Sequence, residues 1–188
     1  KADRLRLMGK NTERKGKMEI DAVIDAVRNH LDDEGYRYEY NAEHKFLRLG
    51  FGVHCKLKNV RLFVEFKKIG YVVYAIAPIN ADKDNLFEML KYLTMANYSL
   101  LHGNFEMDVS DGEIRYKCWI ETWRLDTLGG QQIDESLAVP LMMFERYGDG
   151  IAALALGFSD AEPESNKAEA PDPDEEEDEA AGPEDGED

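Results

Sequence analysis

Asn59-Val60-Arg61-Leu62-Phe63-Val64-Glu65-Phe66, then Lys67-Lys68-Ile69-Gly70, then Tyr71-Val72-Val73-Tyr74-Ala75-Ile76-Ala77-Pro78-Ile79: this stretch decides how the chain folds. The first run alternates with period two and places Val60, Leu62, Val64 and Phe66 on one face, as a half-buried strand requires. Lys67 to Gly70 is a tight connection into the second run. That run is apolar on both faces, the pattern of a central strand.

Working outward toward the N-terminus, Phe46 to Phe51 reads as another strand. Tyr36, Tyr38 and Tyr40, alternating with Arg37 and Glu39, read as a further half-buried one. Ile20, Val23, Ile24, Val27 and Leu31 follow the i, i+3, i+4, i+7 rule and predict an amphipathic helix. Gly35 is placed to end it in the left-handed conformation.

Toward the C-terminus, Leu86, Met89, Leu90, Leu93, Ala96 and Leu100 predict the buried stripe of a second helix, with Asp82 as its N-cap and Gly103 ending the segment. Asn104 to Val109 and Glu113 to Thr122 form a hairpin through Ser110-Asp111-Gly112, because glycine accepts a positive φ without a Cβ clash. A third helix is expected from about Asp134 to Phe158, broken or kinked near Pro140. The order helix, four strands, helix, two strands, helix, with hairpins and no βαβ alternation, makes an α+β fold: a mostly antiparallel twisted sheet with helices packed on it.

The chain has 188 residues and a formal net charge of −16, unevenly distributed. Residues 160–188 hold 15 acids against one base, Lys167, and four of the six prolines. Such a segment buries too little apolar surface to offset the entropy of ordering it, so 160–188 is expected to be a disordered acidic tail. Residues 1–17, with seven bases and two acids, read as a basic flexible arm, and 18–159 as a single domain. The arm has no apolar core of a secretory signal, although a chain beginning at Lys1 leaves an earlier leader open. No apolar run approaches the roughly 18 residues of a membrane span. Two cysteines, Cys55 and Cys118, do not make a disulfide scaffold, Cys118 reads as a small buried thiol in a strand-like run, and the expected compartment is the cytoplasm.

The run Tyr71 to Pro78, the helix end Met95-Ala96-Asn97-Tyr98, and Leu101-His102-Gly103-Asn104-Phe105-Glu106-Met107-Asp108 with its Asp111-Gly112 turn together resemble the YbjN-like family, labelled bacterial sensory transduction regulators. The resemblance spans roughly Met18 to Phe158. It implies a fold like that of the class I type III secretion chaperones, a twisted antiparallel sheet with helices on one side, often dimeric. It also implies non-enzymatic protein binding or regulation, with no cofactor. The acidic tail and basic arm depart from the small chaperones.

Catalytic constellations are absent from the pattern. There is no Gly-x-Ser-x-Gly elbow and no phosphate-cradling glycine loop between a strand and a helix. Of His30, His44, His54 and His102, only His54 adjoins another metal-ligand type, Cys55, and neighbours on a strand point to opposite faces. His30 falls near a helix C-terminus, where a cation suits the dipole. Gly148-Asp149-Gly150 lies in an apolar helical run, so its glycines read as close packing and Asp149 as solvent-facing. Glu145 and Arg146 read as an exposed helix face. Glu106 and Asp108, about 7 Å apart on one strand face, read as solvated, with Phe105, Met107 and Val109 facing the core. Residues 18–159 contain 22 acids and 15 bases, which argues against nucleic acid. Asp172 to Glu179 is dense enough to attract basic partners or to occupy the protein's own basic surface.

The expected function is a chaperone-like or adaptor-like module, homodimeric, docking a protein or peptide. Tyr74, Asn97, His102, Asn104 and Tyr147 are the candidate binding surface. Asn97 has a second reading, in which it ties its helix end to the neighbouring strand. The alternative function is a small-ligand sensor or enzyme with a pocket between helix and sheet, built from Tyr74, Asn97, His102 and Tyr147.

Overall fold

The computed structural model describes residues 18–98 and 100–169. The basic arm 1–17 and the acidic stretch 170–188 lie outside the described residues. Helix α1 (Ile20–Asp33) buries Val23, Ile24, Val27 and Leu31, the stripe read from the sequence. Gly35 ends it at φ +73°. The Gly35 amide donates to the Asp32 carbonyl at 3.1 Å and the Tyr36 amide to the Leu31 carbonyl at 2.8 Å, the paired closure of a Schellman motif.

That closure shortens the expected first strand. With its N–H committed to the helix, Tyr36 leads an extended segment outside the ladder, and β1 is only Glu39–Asn41. Strands β2 (Phe46–Gly52), β3 (Asn59–Lys67), β4 (Gly70–Asn80), β5 (Asn104–Met107) and β6 (Glu113–Glu121) complete a six-stranded sheet in the order β1-β2-β3-β4-β6-β5. Every neighbouring pair is antiparallel. The α+β architecture with packed helices therefore holds. The β5–β6 turn is as read, with Gly112 at φ +79°. Val109 is not: it lies past the end of β5 and is exposed.

Helix α2 (Leu86–Tyr98) follows a single 3₁₀ turn, Lys83–Asn85. Asp82 precedes that turn rather than the helix, and its side chain makes no capping bond. The buried stripe is Met89, Tyr92, Leu93 and Ala96, with Leu90 exposed where burial was expected. Tyr92 can take the inward place because its hydroxyl donates to the Tyr147 carbonyl at 3.0 Å, satisfying the polar tip inside the core.

Helix α3 (Gly130–Ala155) runs unbroken through Pro140 and begins before the expected Asp134. An interior proline costs a helix about 3 kcal/mol, and Leu137, Pro140, Phe144 and Tyr147 are buried along the face that offsets it. The His30 ring Nε2–H donates to the Asp134 carboxylate near the start of α3, at 2.6 Å. Gly148 and Gly150 do permit close approach: a Cβ at Gly148 would lie 2.5 Å from Cys55 Sγ, and one at Gly150 2.3 Å from Tyr92 Oη.

The expected boundary at residue 159 falls short. Ala161–Ala168 form a further helix, α4, packed on α2 and α3 and burying Ala161, Glu164 and Ser165. Composition hid it because few apolar groups are needed where polar anchors serve. Ala161 N–H donates to Glu88 at 3.1 Å, and Lys91 pairs with Glu162 at 2.8 Å.

Helices α1, α2 and α3 lie against the inner face of the sheet. Leu47, Leu49, Val60, Leu62, Val64, Phe66, Val73 and Ala75 are buried beneath them. The rings of Tyr116, Phe144 and Tyr147 surround Phe105 edge-on at 4.9, 5.6 and 5.5 Å. The outer face carries no helix among the described residues. The two-sided apolarity of β4 goes with its central place, as expected: it lies between β3 and β6, with Val72, Tyr74 and Ile76 on the outer face.

Candidate functional site

The register of the sheet composes its outer face. One rung crosses all six strands as Glu39, Arg48, Phe63, Tyr74, Lys117 and Asn104. The next runs Gly50, Arg61, Ile76, Arg115 and Glu106. A third joins Phe46, Glu65, Val72 and Trp119. Strands β2, β3, β4 and β6 thus turn aromatic and basic side chains outward, while their inward residues join the buried core.

These side chains hold one another in place. Phe46 and Phe63 stack at 4.5 Å, and the Arg48 guanidinium sits 4.9 Å from the Phe46 ring centroid and 5.8 Å from that of Phe63. Arg115 lies 4.7 Å over the Tyr74 ring and donates to Glu106 at 2.9 and 3.0 Å. Lys117 also donates to Glu106. Burial pushes the Glu106 carboxyl upward, but the bonds from Lys117, Arg115 and Asn104 outweigh it and hold the group below its ordinary range. Trp119 remains 44 % exposed. Where the extended segment before β1 diverges from β2, an open groove of about 690 Å³ is lined by Arg37, Tyr38, Arg48, Gly50, Arg61 and Phe63, among others.

The five candidate residues fall into separate places. Tyr74 and Asn104 share the outer rung through Lys117. Asn97 instead serves the sheet edge: its side-chain amide donates to the Phe105 carbonyl at 2.9 Å and accepts from the Phe105 N–H at 2.7 Å. It stands in for a neighbouring strand, the second of the two readings. Tyr147 is fully buried, and its hydroxyl donates to Glu169 at 2.5 Å. His102 exposes its ring and lends only its carbonyl, which accepts from the Tyr116 hydroxyl. Tyr74 and Tyr147 lie on opposite sides of the sheet, so the pocket imagined from Tyr74, Asn97, His102 and Tyr147 does not assemble.

A second cluster is exposed, as read from the sequence, but it also holds a loop. Glu145 on α3 accepts from the amides of His54 at 2.9 Å and Cys55 at 3.2 Å, and Asp149, one turn on, accepts from the Lys56 amide at 2.6 Å. The two carboxylates clamp the β2–β3 loop. Burial raises the Glu145 carboxyl, yet the His54 and Cys55 bonds outweigh that and keep it low. Its i, i+4 spacing on one helix face was visible in the sequence; the distant loop it holds was not.

Phe46, Arg48, Arg61, Phe63, Arg115, Lys117 and Trp119 also escaped notice. Their signal lay in the polar half of each alternation, where Arg and aromatic residues recur. Among the described residues no three His, Cys, Asp or Glu side chains gather as a metal site, and no helix is long and apolar enough to cross a membrane. Comparison with protein-family models and with curated proteins found no match to this chain.

Proposed function

We propose that this chain is a non-enzymatic protein-binding or regulatory module, adaptor-like or chaperone-like, that docks a polypeptide on the bare outer face of its sheet. One observation carries the reading. Helices cover one face, while the other presents Phe63, Tyr74 and Trp119 interleaved with Arg48, Arg61 and Arg115. Trp, Tyr and Arg are the residue types that dominate binding energy at protein interfaces. The YbjN-like resemblance points the same way, toward regulation in bacterial signalling or stress, in the cytoplasm and without a cofactor.

The module works as a homodimer. Phe87, Leu90 and Tyr98 fall on one stripe of α2 at helical spacing, and Phe87 and Tyr98 are 75 % and 95 % exposed. A self-complementary apolar stripe supports an isologous contact about a two-fold axis. Light scattering on the full chain should give twice the 21.4 kDa of one copy at micromolar concentration. A monomer there would remove the dimer. For the docking face, partner capture in the native cell compares the full chain with a Trp119→Ala/Arg61→Glu variant and a Phe87→Ser control. The sheet-face variant should lose its partner while keeping its circular dichroism spectrum. Retention by that variant, with loss by Phe87→Ser, would move the site to the helices and overturn the reading.

A further inference from the structure

The cations on the outer face differ in how they are engaged. Lys67 pairs with Glu65 at 2.5 Å, Arg115 with Glu106 and, at 3.9 Å, with Glu113, and Lys117 with Glu106. Arg37, Arg48 and Arg61 make no ion pair among the described residues, and all three line the same open groove. Glu39 and Glu113 also border it, but Glu113 already faces Arg115. Arg48 lies on the Phe46 and Phe63 rings, which fixes its plane and leaves its edge donors to the groove.

Strand β2 continues through Leu49–Gly52 beyond its pairing with β1, so backbone groups along that edge have no strand partner. A Cβ at Gly50 would meet nothing within 4 Å, so the floor is open.

We propose that residues 170–188 of this same chain occupy the groove, their carboxylates on the forks of Arg37, Arg48 and Arg61. Those 19 residues hold 11 acids and no base. A planar guanidinium receives a carboxylate through two parallel N–H donors, the strongest form of such a contact. Reach is sufficient. Extended chain covers about 3.3–3.6 Å per residue, so the segment spans up to about 60 Å. A compact body of about 150 residues has a radius of gyration of only about 15 Å. From Glu169 on the helix side, the segment can therefore round the sheet edge to the opposite face. Occupation is intramolecular and does not depend on the partner-docking reading. Where both hold, the segment competes for part of that face.

Amide spectra of the full chain test this without truncation. The comparison is with a variant carrying Asp174→Asn, Glu175→Gln, Glu176→Gln, Glu177→Gln, Asp178→Asn and Glu179→Gln. Shift changes are expected at 37–39, 48–50 and 61–63, reproduced in the parent chain by high salt, which screens exposed pairs. They should vanish in an Arg48→Gln/Arg61→Gln background whose dispersion is otherwise unchanged. Changes confined to residues 1–17 would assign the acidic segment to the basic arm and overturn the proposal. So would changes scattered over every surface cation, or none. A single-stranded oligonucleotide that shifts the groove amides when neutralising the segment does not would reassign the groove to nucleic acid. Partner capture that fails while the shifts appear would reject the docking reading and leave this contact standing.

Discussion

Asn97 shows how much one side chain does when it replaces a strand. Its amide satisfies both the N–H and the C=O of Phe105 on the outer edge of β5, beside the buried aromatic cluster around Phe105. Asn97→Ala leaves the Phe105 N–H unpaired, while the carbonyl keeps only the Asn104 amide at 3.2 Å, and should cost about 1–3 kcal/mol in urea unfolding. A cost of only a few tenths would mean that the edge is solvated and the amide incidental. Gly150 makes the opposite point, because here the absent Cβ matters. Alanine is the better helix former by about 1 kcal/mol, so propensity alone favours Gly150→Ala. The added carbon would lie 2.3 Å from Tyr92 Oη and 2.5 Å from Cζ, with Tyr92 fully buried. Overpacking costs typically about 1–3 kcal/mol, so the expected outcome is a lower melting temperature. Tyr92→Phe should restore it only in part, since the ring carbon remains in the way. An unchanged or raised melting temperature would show that the helix shifts freely.

At the scale of elements, the clamp of α3 on the β2–β3 loop makes local order depend on pH. The Glu145 carboxyl is held below its unfolded value of about 4.3, so its contribution is present above that pH and is lost as pH falls through the folded value. Glu106 on the outer face follows the same sign. On acidification, hydrogen exchange at His54, Cys55 and Lys56 should accelerate before that of β4. A Glu145→Gln/Asp149→Asn variant should show the same acceleration at neutral pH and little further change in acid. Equal acceleration of β4 would indicate global unfolding and no clamp. Elements also show where periodicity and packing part. The pattern placed α1, β2 to β4 and the β5–β6 hairpin correctly, since each is amphipathic by itself. It misjudged Leu90 against Tyr92 on α2, because inward placement of tyrosine required the Tyr147 carbonyl from another helix. It expected a break at Pro140, which the buried face of α3 overrides.

For the whole molecule, the asymmetry of the layers matters most. Among the described residues the helices gather on one side, and α4 closes the end of that layer over α2 and α3. Truncation after Ser159 should therefore expose apolar surface and cost on the order of 2 kcal/mol at the usual value per area of burial. Truncation after Glu169 should change stability by less than about 0.5 kcal/mol, as surface changes do. Denaturation midpoints of the two proteins decide it, and equal midpoints would show that α4 adds nothing. The net charge of −16 thus divides at a different place from the one composition suggests: part of the acidic end, Glu162 and Glu164 included, belongs to the packed body.

By itself the sequence determined the fold class, the order of the elements as far as α3 and most of their inward faces. Those follow from period-two and period-3.6 patterning and from the glycines that turns require, all of them local properties. Only the tertiary structure decided what the outward faces do. Arg48, Arg61, Phe63, Tyr74 and Trp119 come from four strands, and only the register sets them on neighbouring rungs. Tyr147 and Tyr74, alike in sequence terms, end on opposite sides of the sheet. Which residues meet across a sheet depends on strand pairing at long range, and no single segment carries that information.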